Sequence, residues 1–367
     1  MSKYIYQRKE WPHFRWKETK VASTLAHVRY RQGRLLGKME SLGFPLQVEA
    51  NLNTLTLDVL KSSEIEGDIL NPGQVRSSIA RRLGIAVAGL ITADRHVEGV
   101  VEMTLDATQT YGAPLTHERL FGWHAALFPA GRSGMRKIVV GCYRDNTPDD
   151  PMQVVSGPAG RERVHFQAPG SDVLQAEMTV MLQWFNHEKI LDPVVKAAVA
   201  HLWFVTLHPF DDGNGRMARA ITDMQLARAD QNPRRFYSMS NQVRTERNGY
   251  YGILEKTQHQ SLDITEWLEW FLGCLERALA NTEQTLATVL KKARFWEQHA
   301  STPLNDRQRK ILNMLLDGLD GKLTSTKWAK ITKTSQDSAG RDINDLLDKK
   351  ILAKAPDGGR STSYTLL

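Results

Sequence analysis

Between Val194 and Leu207 the chain reads VVKAAVAHLWFVTL, with little polar character beyond Lys196 and His201. A helix on a protein surface carries a polar face. This run predicts instead a central helix surrounded by others, and so an all-helical core. Whatever follows such a helix is held by a rigid frame. Here a short polar turn follows, HPFDDGNGRMAR from His208 to Arg219, and leads into a second helical run, ARAITDMQLARA.

At 367 residues the chain is long enough for two or three domains. Apolar residues make up 41% and charged residues 24%, an ordinary soluble composition. No stretch approaches the roughly 20 apolar residues that span a bilayer. The opening MSKYIYQRKEWPHF lacks the apolar centre of a signal peptide, so a cytoplasmic location without membrane insertion is expected. Cys142 and Cys274 stand in no metal or redox spacing. A net charge of +7 suits an acidic partner, such as a nucleotide or a nucleic acid, and equally a plain solvated basic surface.

Helical patterns cover Leu46 to Glu66, Ala93 to Thr110 and Asp172 to His187. A further one opens at Asp263, with Glu266 in capping-box spacing, and runs to about His299. Strand patterns occupy two places. Met152 to Val155 and Val164 to Phe166 flank SGPAG, and ILAKA and STSYTLL flank DGG. After the break STPLND, three short helices and the last hairpin follow in winged helix-turn-helix order. Trp11, Phe14 and Trp16 read as an aromatic staple onto the helical core.

The turn carries the chemistry. Gly213 and Gly215 permit positive φ and leave backbone N–H groups bare at a helix start, where the macrodipole favours an anion. Asp212 supplies the hard oxygen that Mg²⁺ takes beside phosphate and water. Arg216 and Arg219 lie three apart at the start of the helix and can reach one polyphosphate together. His208, with an ordinary pKa of about 6.5, suits proton removal from a hydroxyl. Phe210 points inward and pins the loop.

Together these residues resemble the Fic family, whose signature HxFx(D/E)GNGRxxR is matched at every fixed position. The resemblance implies a Fic-type helical core that transfers AMP from ATP to a Ser, Thr or Tyr hydroxyl of a protein target. His208 would be the base and Asp212 the metal ligand, with Gly213, Asn214, Gly215, Arg216 and Arg219 on the phosphates. The hairpin at about 152–166, with Val154 and Val155, is similar to the family's flap that docks the target as an added strand; a plain surface hairpin is the alternative. Tyr250 and Tyr251 occupy the place of the family's adenine-side wall, or else pack in the core. Gln258 stands where some members have an asparagine on the base.

Upstream, SSEIEG at 62–67 resembles the family's inhibitory pattern (S/T)xxxE(G/N), with Ser62 and Glu66 fixed and Gly67 ending the helix. Glu66, or Glu64 if that residue faces inward, would take Arg219 from the γ-phosphate and hold the enzyme idle. The resemblance divides the chain into an N-terminal module with the inhibitory helix at 1–90, a catalytic core at 91–300 and the winged helix at 301–367. Self-modification is a further expectation. Helix 335–350 carries Arg341, Lys349 and Lys350, with Arg360 on the wing, against Asp337, Asp342, Asp345 and Asp348. DNA contact, protein docking and homodimerisation therefore all stay open. The alternative from another class is a DNA-binding regulator whose core senses nucleotide. A growth-arresting toxin would instead be a short chain with a separate antitoxin.

Overall fold

The computed structural model describes residues 3–86, 89–158, 160–316, 319, 321–355 and 362–367; the side chains of residues 285, 287–290, 292 and 293 lie outside that description. Contacts divide the chain into two units, Met1–Thr282 and Glu283–Leu367.

The first unit is helical. It holds α1 (Glu18–Glu40), α2 (Phe44–Ile65), α3 (Pro72–Arg82), α4 (Arg95–Gln109) and α5 (His117–Leu127). These are followed by α6 (Ser171–His187), α7 (Pro193–Leu207), α8 (Asn214–Asp230), α9 (Met239–Thr245), α10 (Arg247–Gln258) and the first half of α11 (Thr265–Gln298). As its composition predicts, α7 is buried at every residue from Val194 to Leu207. Pro193 starts it, with the Asp192 carboxylate accepting from the Val194 N–H at 2.8 Å. Its two polar residues are satisfied inside. Lys196 Nζ donates to the Glu188 carbonyl at 2.6 Å, and His201 bridges Thr222 Oγ1 and the Tyr250 hydroxyl at 2.9 and 2.7 Å. Trp11 and Phe14, two of the three residues of the expected staple, meet Trp203 of α7 edge-on, with centroids 6.0 and 5.7 Å away.

Two local expectations change. Among the described residues there is a third hairpin, β1 (Arg132–Ser133) with β2 (Arg136–Lys137), beside the expected β3 (Gln153–Ser156) and β4 (Arg163–Gln167). Two-residue strands have no alternation to read. Glu266 forms no capping box but pairs with Lys256; Asp263 alone caps α11, accepting from the Thr265 N–H at 3.0 Å.

The second unit contains α12 (Asp306–Leu316), α13 (Ser325–Thr332), α14 (Gln336–Asp348) and the antiparallel pair β5 (Leu352–Lys354) and β6 (Tyr364–Leu366). Ile311, Leu312, Trp328, Ile343 and Leu346 form its core. Asp342 and Asp345 of α14 are neutralised within the unit. Arg307 grips Asp342 with two bonds of 2.7 and 2.9 Å, and Lys349 meets Asp345 at 2.6 Å. Arg360 lies outside the described residues.

Helix α4 crosses α5 so closely that a Cβ on Gly99 would stand 1.8 Å from the Ala126 carbonyl oxygen. Gly99→Ala is expected to lower unfolding free energy by about 1–3 kcal/mol, the cost of overpacking. Gly33→Ala, in the exposed middle of α1 with nothing within 4 Å, should raise it by about 0.5–1 kcal/mol. Thermal denaturation of the two variants checks this pair of opposite signs.

Candidate active site

Helix α7 ends on His208, whose backbone is left-handed (φ 48°, ψ 56°) and whose N–H still reaches the Phe204 carbonyl at 3.0 Å. Five residues later the chain re-enters helix through Gly213 at φ 81°, where a Cβ would meet the Phe128 ring at 2.9 Å. Phe210 is fully buried and stacks on His124 at 4.3 Å. The Asn214 amide donates to the Phe210 carbonyl at 2.7 Å and accepts from its N–H at 3.0 Å. The Asn214 side chain is thus committed to shaping the loop. What Asn214 offers an anion is its backbone in the first turn of α8.

A segment absent from the sequence argument, residues 131–146, wraps this loop. Val139 N–H donates to Asp211 Oδ2 at 2.8 Å, Ser133 Oγ donates to Asp212 Oδ2, and His124 Nε2 meets the Asp212 carbonyl at 3.2 Å. Burial holds the His124 imidazole down to about 4, so it is neutral and donates there. Asp212 is half-buried. Among the described residues no cluster of three or more His, Cys, Asp or Glu residues could hold a metal ion. A single carboxylate is nonetheless what Mg²⁺ takes from protein when phosphates supply other ligands.

Both motif arginines are buried, at 5% and 3% exposure. Arg219 donates from Nε to Ser62 Oγ (2.8 Å) and from Nη2 to the Ser62 carbonyl (2.8 Å) and Glu66 Oε1 (2.7 Å). Burial opposes its charge, but Glu66 together with Tyr250 and Tyr251 more than offsets this and raises the guanidinium above its ordinary value. Of the two glutamates in SSEIEG, the one facing Arg219 is Glu66. Glu64 turns away to Lys61 and Arg244. Arg216 lies over the Phe128 ring at 5.1 Å and reaches Asp68 Oδ2 at 3.5 Å, while Asp68 is held by His96 at 2.6 Å. Arg216 Nε and Arg219 Nη1 are buried without a hydrogen-bond partner. Two orphaned cationic donors beside bare backbone are a fit for a polyanion. Gly215 completes the cradle, because a Cβ there would lie 2.1 Å from Glu66 Oε1.

The tyrosine pair splits. Tyr250 is 2% exposed and bonded to His201, so it is core, whereas Tyr251 is 37% exposed, with Arg247 over its ring and its hydroxyl 3.4 Å from Glu66 Oε2. Gln258 is buried and turned to the end of α7, 3.5 Å from the Val205 carbonyl and 3.4 Å from Thr206 Oγ1. On the hairpin, Val154 packs toward Tyr4 and Phe166, and Val155 faces solvent. Glu255 of α10 holds the hairpin through Arg163 and His165 at 2.7 and 2.8 Å.

His208 is half-buried, and burial pushes its imidazole down to about 4. Its Nδ1 lies 3.3 Å from the Val205 carbonyl. With the proton placed on Nδ1 to satisfy that oxygen, Nε2 is a free acceptor.

The Ser62 contact yields a stability prediction. Ser62→Ala strands the buried Arg219 Nε and should cost about 1–3 kcal/mol. Glu64→Ala, which removes only half-exposed ion pairs, should change little. Urea unfolding of the two variants separates them.

Residues 114–226 match the Fic/DOC family, and residues 4–85 match a domain of unknown function, DUF4172. The chain is similar to a protein adenylyltransferase Fic of Nematostella vectensis (24% identical over 234 residues, 60% of this chain and 47% of the relative). It is also similar to one of Culex quinquefasciatus (26% over 272 residues, 71% and 49%). It therefore spans about half the length of the curated relatives it matches. Among solved structures, its fold resembles a Fic family protein from Desulfovibrio desulfuricans G20 (TM-score 0.55, 20% identity, 95% of this chain and 96% of the other). A Fic domain containing signaling protein from Bacteroides thetaiotaomicron VPI-5482 is also similar (TM-score 0.50, 20% identity, 72% and 96%). The helical frame of α7 and α8 with its polar turn is thus the frame of a Fic/DOC family domain, carried by a chain whose homologues include Fic protein adenylyltransferases.

Proposed function

We propose that this chain transfers AMP from ATP to a Ser, Thr or Tyr hydroxyl of a protein, itself included, and that Glu66 restrains it. The observation that carries the reading is the pairing of a neutral imidazole at the end of α7 with two buried arginines at the start of α8, one of them gripped by Glu66. In this reading residues 1–90 carry the brake, 91–300 the transfer core and 301–367 a winged helix.

The α8 N-terminus, Arg216 and Arg219 bind and orient the triphosphate. Asp212 would hold Mg²⁺ together with the phosphates, and the ion supplies charge neutralisation for the departing pyrophosphate. The acceptor oxygen attacks the α-phosphorus, its proton passes to His208 Nε2, and the bond to the bridging oxygen breaks to release pyrophosphate. Val154 and Val155 would present the target segment as an added strand, placing its hydroxyl near His208. Tyr251, half-exposed, is left as the aromatic surface for the base. Glu66 competes with the γ-phosphate for Arg219, so bound ATP would sit with its α-phosphate misaligned.

A nucleotide-sensing regulator would need the arginines and no base, and the retained His208 favours transfer. The test uses Mg²⁺ and ATP labelled at the α-phosphate, with wild type, Glu66→Gly and His208→Ala followed by gel and intact mass. Strong label on Glu66→Gly and none on His208→Ala is expected. Absence of label on every variant, with other nucleotides and added lysate also tried, would sink the transfer reading.

The same assay carries a pH prediction. Only neutral His208 accepts the proton, and burial holds its folded value at about 4. The rate for Glu66→Gly should therefore stay level as pH falls from 8 to 5 and drop only on approach to 4. A histidine at its ordinary value of about 6.5 would lose half its activity by that pH and almost all of it by pH 5. Initial rates across this range decide.

A further inference from the structure

Arg144 lies outside the motif, between β2 and β3, and is 3% exposed. Its side chain is spent on the end of α7. Nε donates to the His208 carbonyl at 2.8 Å, and Nη2 donates to the Leu207 carbonyl at 3.4 Å and the Pro169 carbonyl at 2.6 Å. Nη1 donates to Asn146 Oδ1 at 2.6 Å, and the Arg144 backbone N–H reaches the Pro209 carbonyl at 3.0 Å. Three consecutive carbonyls, 207 to 209, are thus held by one residue.

The oxygens that Arg144 contacts are all neutral, and the Asp211 carboxylate supports its charge without a direct bond. Burial lowers it to about 10, so it stays cationic at neutral pH. Helix ends leave their last carbonyls without intrahelical partners, and a non-glycine residue in the left-handed region needs its surroundings to hold it there. Arg144 meets both needs at His208.

We propose that Arg144 is a positioning residue for the base: its planar fork fixes the carbonyls of Leu207 and His208, and with them the left-handed turn that aims the imidazole. This rests on the reading of His208 as the proton acceptor. The fork matters because an ammonium cannot span the same oxygens in one plane. The charge matters separately. Of the charged groups that act on His208, Arg144 opposes its protonation, and Glu66 and Asp212 favour it.

The experiment compares Arg144→Lys and Arg144→Gln in the Glu66→Gly background, with folding checked by circular dichroism. Two readouts are taken: kcat and KM for ATP in self-labelling, and the His208 titration by NMR of histidine-labelled protein, assigned with His208→Ala. Both variants should lose about 10- to 100-fold in kcat, the scale of a small misplacement of a reacting group, with KM for ATP within about twofold. The His208 midpoint should rise in Arg144→Gln, which lacks the charge, and hold in Arg144→Lys. Unchanged kcat and unchanged titration in folded Arg144→Gln would overturn the proposal, as would Arg144→Lys with full kcat if Arg144→Gln fails to fold. If Glu66→Gly itself transfers no AMP, the transfer reading fails, and the titration of the variants alone decides whether Arg144 governs the imidazole.

Discussion

A guanidinium in a protein interior keeps its charge, so it must be met. Arg219 sits on a helix that is buried through most of its length, and the structure answers it with the end of α2. Ser62 supplies two oxygens and Glu66 a third, one helical turn apart on one face. One turn earlier on that face, Asp58 enters a second polar knot in which Arg235 serves Asp223 and Asp230, and Ser238 donates to Asp58. Burial, and then the charge of Asp223, raises the Asp58 carboxyl well above its ordinary range. Helix α2 is therefore seated by polar contacts at 58, 62 and 66 as well as by Leu52, Leu55 and Val59.

The same economy governs the loop between α7 and α8. Its polar groups are consumed before any ligand arrives. Asn214 closes the turn on Phe210, Val139 takes Asp211, Ser133 takes Asp212, and Arg144 takes the carbonyls around His208. Left without a hydrogen-bond partner are the buried Arg216 Nε and Arg219 Nη1, beside backbone at the start of α8 and one nitrogen of His208, the groups on which the proposed transfer relies. Preorganisation of this kind places the reorganisation cost in folding, ahead of the reaction.

Much of this was legible in the sequence, and the boundary of what was not is physical. The apolar run of α7 forces its burial whatever surrounds it, and a turn with two glycines, an acid and two arginines within a dozen residues announces anion chemistry from composition alone. By contrast the places of the Asn214, Tyr250 and Gln258 side chains stayed open, because a polar or amphipathic side chain carries no sign of whether its partner is a ligand or a group of the protein itself. The partners that settled the matter, Phe210, His201 and Val205, come from the turn and from α7. Ser133 and Arg144 were missed for a related reason. They lie in two-residue strands and irregular chain, where no period marks them.

The choice between Glu64 and Glu66 shows how fine the local determinant is. Both lie at the end of α2, and Gly67, at φ 86°, turns the chain directly after Glu66. That turn aims Glu66 at Arg219 and places Asp68, on the far side of the glycine, beside Arg216. The two grips are unequal. Glu66 meets a guanidinium 4% exposed at 2.7 Å, whereas Asp68 reaches Arg216 only at 3.5 Å and is shared with His96. Both guanidinium groups are buried and both carboxylates are about one-third exposed, so the short charge-assisted bond is the stronger of the two. The contact at Arg219 is consequently the stronger of the two, and a single left-handed glycine places the carboxylate that makes it.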